Sequence, residues 1–242
     1  MKLEQTNRII IKIGSALLFN ETSGSLNKEW LNSLAEDVKY LRENDKEVII
    51  VSSGAIAMGA KDLDLDMKNM KMDMNQAVSA VGQIHLMGSF KSAFEKNEIK
   101  ISQILLTLDD TEQRRRSINA RRTIDTLLKL GIVPVVNEND TIATSEIRYG
   151  DNDRLASRVA QITSADCLIL LSNINGLYSA DPSTDEDVKL INKVSEIDKD
   201  IEKMIGQSIS DYGKGGMKTK IQAAKTAMPV SYTHLTLPTT FG

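Results

Sequence analysis

Histidine and cysteine are nearly absent from the chain. With two histidines, His85 and His234, and no GxSxG elbow, a Ser/His/Asp triad and a histidine-based metal cluster are both excluded. His85 falls inside a helical pattern and is expected to be structural. The single cysteine, Cys167, rules out an internal disulfide and fits a reducing, cytoplasmic compartment. Within Ala165-Asp-Cys-Leu-Ile-Leu-Leu171 it reads as a small buried hydrophobe and not as a reactive thiol. No apolar run approaches the roughly 20 residues of a membrane helix, and the polar N-terminus leads directly into a strand, so a soluble, unexported protein is expected. Neither sign of charge dominates: 30 basic against 33 acidic residues give a net charge of -3, which offers no electrostatic case for nucleic acid or an anionic membrane. GxGxxG and GxxxxGK[ST] are both missing, which argues against a dinucleotide fingerprint and a P-loop.

What the chain does have is concentrated in two polar loops. Asn137-Glu-Asn-Asp140 follows the strand-like run Ile132–Val136, and Gly150-Asp-Asn-Asp153 opens a helical run. Carboxylates and amides crowded at the edge of a parallel sheet suit a small, charged, polar ligand. β-Branched runs at Ile9–Ile13, Glu47–Ser52, Lys100–Leu106, Ile132–Val136 and Cys167–Leu171 alternate with helical patterns at Lys28–Glu43, Gln76–Asn97, Arg115–Leu130 and Asn152–Thr163. The expected fold is α/β: a doubly wound, mostly parallel sheet sandwiched by helices. Five or six such units are too few for an eight-stranded barrel. Beyond Leu171 the pattern shifts, with a short helix near 197–205, to what reads as a second lobe of the same sheet. Two stretches are expected to be solvated, the Met-rich connector 62–74 and the arginine cluster Arg114-Arg-Arg116 with Arg121-Arg122.

Three motifs carry phosphate chemistry. Lys12 ends the first strand just before Gly14; a lysine there either reaches solvent at the sheet's end or meets an anion. Val51-Ser-Ser-Gly-Ala-Ile-Ala57 turns from a strand into a helix whose N-terminus is an anion site; taken alone it is equally a serine-capped turn. The loop Gly213-Lys-Gly-Gly-Met-Lys-Thr-Lys220 interleaves glycines with lysines before a helix. Lysines, glycines, carboxylates and amides form an inventory that suits phosphoryl transfer.

With Ala80-Val-Gly-Gln83, Ile132–Glu146, Gly176-Leu-Tyr178 and Asp181-Pro182 added, these stretches resemble the glutamate 5-kinases (γ-glutamyl kinases) of the amino acid kinase family over residues 9 to about 227. The resemblance implies phosphorylation of the γ-carboxylate of L-glutamate by ATP with Mg2+, the first step toward proline. It implies catalytic roles for Lys12, Lys220 and Asp153, and substrate binding by Ser53, Gly54, Asp140 and Asn152, with Asn137 and Asn139 bracing that loop. It further implies ATP binding by Lys12, Gly14, Ser172, Asn173, Lys214, Gly215, Gly216, Met217, Lys218, Thr219 and Lys220. No protein metal ligand is assigned. Ser172-Asn173 departs from the Thr-Asp of many relatives. A homo-oligomer, dimer or tetramer, and feedback inhibition by proline are also implied. Sister kinases acting on N-acetylglutamate or aspartate, and an inactive fragment or ligand sensor, are the alternatives.

The implied organisation is an amino acid kinase domain over 1–228, with a substrate lobe to about 165 and an incomplete nucleotide lobe from 166. No RNA-modification-type PUA domain is recognisable. The stretch 226–242 contains no Asp, Glu, Lys or Arg, and 229–242 is expected to be a non-native tail, strand-like by propensity over 231–237.

Overall fold

A computed structural model describes residues 3–20, 24–68, 70–143, 152–180, 188–199, 201 and 217–228, and the backbone of 232–235. Strand β1, Arg8–Ile13, is isoleucine at every position but Arg8 and Lys12 and is buried beyond its first residue, as a central strand covered on both faces must be. It pairs in parallel with β2 (Glu47–Val51) on one side and with β5 (Cys167–Leu171) on the other. Adding β3 (Ile101–Leu106), β4 (Val133–Glu138) and β8 (Tyr232–Leu235) completes a six-stranded sheet in the order β3-β4-β2-β1-β5-β8, with every pairing parallel.

Helices cross over between the strands: α1 (Ser15–Leu18) and α2 (Lys28–Glu43), α3 (Ala55–Asp62) and α4 (Met72–Glu95), α5 (Leu108–Glu112) and α6 (Arg114–Lys129), α7 (Asn152–Thr163), and α8 (Met217–Ala227). Strand alternation divides the core into two layers. Ile9, Ile11 and Ile13 pack with Leu34 and Val38 of α2 and Leu86, Phe90 and Phe94 of α4. Ile10 packs on the other face with Ile124 of α6, Val159 of α7 and Ala223 of α8. Lys12 shares its strand parity with Ile10, so the first strand points its lysine toward the α7 and α8 layer. The doubly wound, sandwiched architecture is as expected from the sequence.

From β1 the chain adds β2, skips a place to lay β3 at the edge, inserts β4 between β2 and β3, and then crosses back to start β5 on the other side of β1. That reversal opens a crevice at the C-terminal ends of β1 and β5. The backbone N–H of Gly14 donates to Leu171 O at 3.3 Å across it.

Three expectations change. β4 runs on through Asn137 and Glu138, which pair with Leu105 and Leu106 of β3; polar side chains at the strand's end had looked like loop. β6 (Leu177–Tyr178) and β7 (Leu190–Ile191) form a separate antiparallel pair instead of continuing the main sheet. Helix α4 begins at Met72, inside the stretch read as connector. The helix expected near 197–205 lies mostly outside the described residues. Among the described residues no helix is long and apolar enough to cross a membrane.

Helices α3 and α4 meet backbone to backbone. A Cβ on Gly82 would lie 1.9 Å from Ala55 O, and one on Gly59 would lie 1.9 Å from Val78 O. Only residues without a side chain permit that approach, which holds the face of α4 bearing Ser79 and Gln83 close to the ends of β2 and β4.

Candidate active site

Asp153 sits in the first turn of α7 with no exposed surface. Its Oδ1 lies 2.6 Å from Lys12 Nζ and its Oδ2 lies 3.0 Å from Lys220 Nζ. Lys12 is 2% and Lys220 6% exposed. An ammonium group taken from water costs several kcal/mol unless paired, so the position of Lys12 is settled: it meets a carboxylate inside the fold and does not reach for solvent. Lys220 arrives from the first turn of α8, and Thr219 Oγ1 beside it donates to Asp153 Oδ2 at 3.3 Å. A strand from the start of the chain and a helix from its far end thus bring two cations to one carboxylate.

The turn after β2 supplies the adjoining wall. Gly54 adopts φ 98° at the start of α3, and a Cβ there would lie 2.5 Å from Phe19 Cε2, so glycine is required on both grounds. Ser53 Oγ donates to Ile13 O at 3.1 Å, tying this turn to the end of β1.

A line of buried amides joins the turn to β4 and α4. Asn152 Nδ2 donates to Ser52 O and, at 2.8 Å, to Asn137 Oδ1. Asn137 Oδ1 also accepts from the backbone of Glu138 at 2.9 Å, while Asn137 Nδ2 donates to Gln83 Oε1 at 2.8 Å. Asn139 Oδ1 accepts from Thr141 Oγ1 at 2.6 Å. Asp140 is held from α4, with Ser79 Oγ donating to its Oδ2 at 2.7 Å.

Ser79, Gln83, Gln103, Glu138 and Asp140 are among the residues that line a 220 Å³ cavity beside this line. Two buried polar atoms in its lining residues, Gln83 Nε2 and Glu138 Oε1, have no hydrogen-bond partner. Burial, with the charge of Asp140 adding to it and that of Arg154 opposing it, pushes the Glu138 carboxyl up to about 7. Burial likewise raises Asp140, partly offset by the Ser79 hydrogen bond.

Of the residues expected in the site, Lys12, Asp153 and Lys220 come together directly, with Thr219 against Asp153. Ser53, Gly54 and Asn152 lie at or beside the β2 turn, and Asp140 faces α4. Gly14 and Ser172 sit at the ends of β1 and β5; Asn173 is exposed, as is Lys218, while Met217 packs in a small apolar cluster with Leu177 and Ile221. Lys214, Gly215 and Gly216 lie outside the described residues, as do Gly150 and Asp151. Ser79 was not singled out from the sequence, and Gln83 and Glu138 entered only as members of Ala80-Val-Gly-Gln83 and Asn137-Glu-Asn-Asp140, without a role of their own; the signal available for Gln83 was an amide beside a glycine in an otherwise apolar and small stretch. Burial pushes the Cys167 thiol up to about 12, with Asp166 nearby contributing, consistent with an inert core residue. His85 pairs with Asp62 at 3.2 Å between α4 and α3. Among the described residues no His, Cys, Asp and Glu cluster could hold a metal ion.

Residues 7–231 match the amino acid kinase family. The chain belongs to that family. Amino acid kinases similar to it include glutamate 5-kinase of Pelagibacter ubique (strain HTCC1062), 59% identical over 93% of this chain and 61% of the relative. Glutamate 5-kinase of Ruegeria sp. (strain TM1040) is 52% identical over 93% of this chain and 61% of its own length. Glutamate 5-kinase 1 of Mesorhizobium japonicum is 53% identical, with 93% and 59% covered. The chain therefore spans about three fifths of the length of these curated relatives.

Proposed function

We propose that this amino acid kinase transfers the γ-phosphoryl group of ATP, bound with Mg2+, to the γ-carboxylate of L-glutamate, giving γ-glutamyl phosphate, the first step toward proline. The observation that carries this reading is Asp153 holding Lys12 and Lys220 at 2.6 and 3.0 Å; the names of the relatives direct the choice of acceptor. A glutamate side chain, with a pKa of about 4.3, is already ionised at neutral pH and needs no general base, which fits a site built without histidine. The obstacle is repulsion between an anionic nucleophile and an anionic phosphoryl donor. Lys12 and Lys220 offset it, and Asp153 fixes where their heads lie, so that little reorganisation accompanies the transfer. Magnesium, when bound, shields the phosphates of ATP. The Ser53-Gly54 turn and Gly14 bring backbone close to the acceptor and phosphates. Asp140 and Asn152 hold the ammonium end of glutamate, and Ser172, Asn173, Lys214, Gly215, Gly216, Met217, Lys218, Thr219 and Lys220 serve ATP binding.

The reading extends to a cytoplasmic enzyme that forms homo-oligomers and responds to proline, with a substrate lobe to about residue 165 and a nucleotide lobe after it. ADP release is to be measured with Mg-ATP and L-glutamate, N-acetylglutamate or L-aspartate in turn, with hydroxylamine trapping the acyl phosphate. Turnover with glutamate, abolished in Lys220→Ala, is expected. Turnover only with another acid reassigns the acceptor, and silence with all three overturns the kinase reading for this chain.

A further inference from the structure

The amide line from Gln83 to Asn152 has a direction. A primary amide has two N–H donors and one carbonyl oxygen. Both donors of Asn152 are engaged, one by Ser52 O and one by Asn137 Oδ1, so what Asn152 can turn toward a ligand is its acceptor, Oδ1. That orientation depends on Asn137 presenting oxygen and not nitrogen to Asn152. Asn137 is set in turn from both ends of its amide, by the Glu138 backbone N–H that donates to its Oδ1 and by Gln83, whose Oε1 takes the Nδ2 hydrogen and is the side-chain contribution. Gln83 is 8% exposed and Asn137 2% exposed, so water offers little substitute. Its own Nε2 is left buried without a partner at the 220 Å³ cavity. Leaving a buried donor unpaired is costly, and here the same rotamer makes Gln83 a pure acceptor toward Asn137.

We propose that Gln83 is a positioning residue that fixes the amide of Asn152, through Asn137, so that Asn152 joins Asp140 in presenting oxygens to the ammonium group of the amino acid acceptor. This rests on glutamate being that acceptor. An ammonium group has three donors and no acceptor; a reversed Asn152 amide would set N–H against N–H. In this role Gln83 acts through Asn137, on acceptor binding and not on ATP.

The test uses Gln83→Met, which keeps length and bulk but removes the oxygen that holds Asn137 Nδ2, leaving the Glu138 N–H alone to orient that amide. The expected result is a rise of about tenfold in KM for glutamate, the scale of one lost hydrogen bond to a charged group. KM for ATP and the melting temperature stay near those of the parent chain. The second readout is side-chain amide hydrogen exchange in protein labelled with 15N-asparagine: the Nδ2 hydrogens of Asn152 exchange slowly in the parent and faster in the variant. Unchanged Asn152 exchange overturns the inference, and so does a loss that falls equally on both substrates or on kcat alone with a lowered melting temperature. A parent chain that does not use glutamate overturns the functional reading, while the exchange measurement still decides whether Gln83 orders Asn152.

Discussion

One carboxylate with no exposed surface lies against two lysine heads at Asp153, and its removal therefore affects the fold as well as the chemistry. Asp153→Asn keeps the shape but leaves both ammonium groups facing a neutral amide, for which a loss of about 3 kcal/mol is expected, read by urea denaturation. Turnover with glutamate is expected to fall by at least two orders of magnitude. Glu138 tests the opposite case, a carboxyl that suffers from its surroundings. Its carboxyl sits at about 7 in the fold against an ordinary value of 4.5, so between those values the folded protein binds a proton that the unfolded chain has lost. Stability therefore falls as pH rises through that window, and the cost, on the order of 3 kcal/mol, is complete above it. Glu138→Gln is expected to melt higher than the parent at pH 8 and at about the same temperature near pH 4.5. Equal melting curves at both pH values would remove the case for a buried, strained carboxyl.

Among the elements, α3 and α4 depend on their shared glycine contact. Gly82→Ala forces a methyl group to 1.9 Å from Ala55 O, and since both atoms belong to helix backbones the helices must part. A loss of about 1–3 kcal/mol is expected, with a rise in KM for glutamate because Ser79 and Gln83 move with α4; an unchanged melting temperature would contradict the packing described. The strands β1, β2 and β5 were legible in the sequence because buried parallel strands are nearly continuous β-branched runs. Helices α2 and α7 were legible from their apolar spacing. The end of β4 was not legible, since Asn137 and Glu138 look like loop residues until β3 and α4 supply their partners. Lys12, Asp153 and Lys220 could be picked out by residue type and resemblance, but that one carboxylate spans both lysines is a property of the sheet order. Gln83 stayed hidden because a glutamine in a helix is ordinarily solvated, and only the close approach of α3 and the end of β4 buries it.

For the molecule as a whole, β8 closes the β5 side of the sheet. It falls within residues 229–242, where charged residues are missing and where the sequence had argued for a tail foreign to the family. A strand needs only backbone to pair, so such a stretch can still occupy an edge. Removing residues 229–242 is expected to leave the N–H and C=O groups of β5 open to a second molecule, seen as concentration-dependent association by light scattering. A shortened chain that keeps the parent's association state at all concentrations would show that β8 does not guard that edge.

Lys12 is made early in synthesis and Lys220 very late, yet both close on Asp153. Until α8 is made, the core layer that Ala223 and Ala227 complete stays open on one side, and Asp153 has only one of its two lysines. Any product that stops short of α8, whether from premature termination or from a protease, would lack Lys220 and with it one of the two cations that neutralise Asp153.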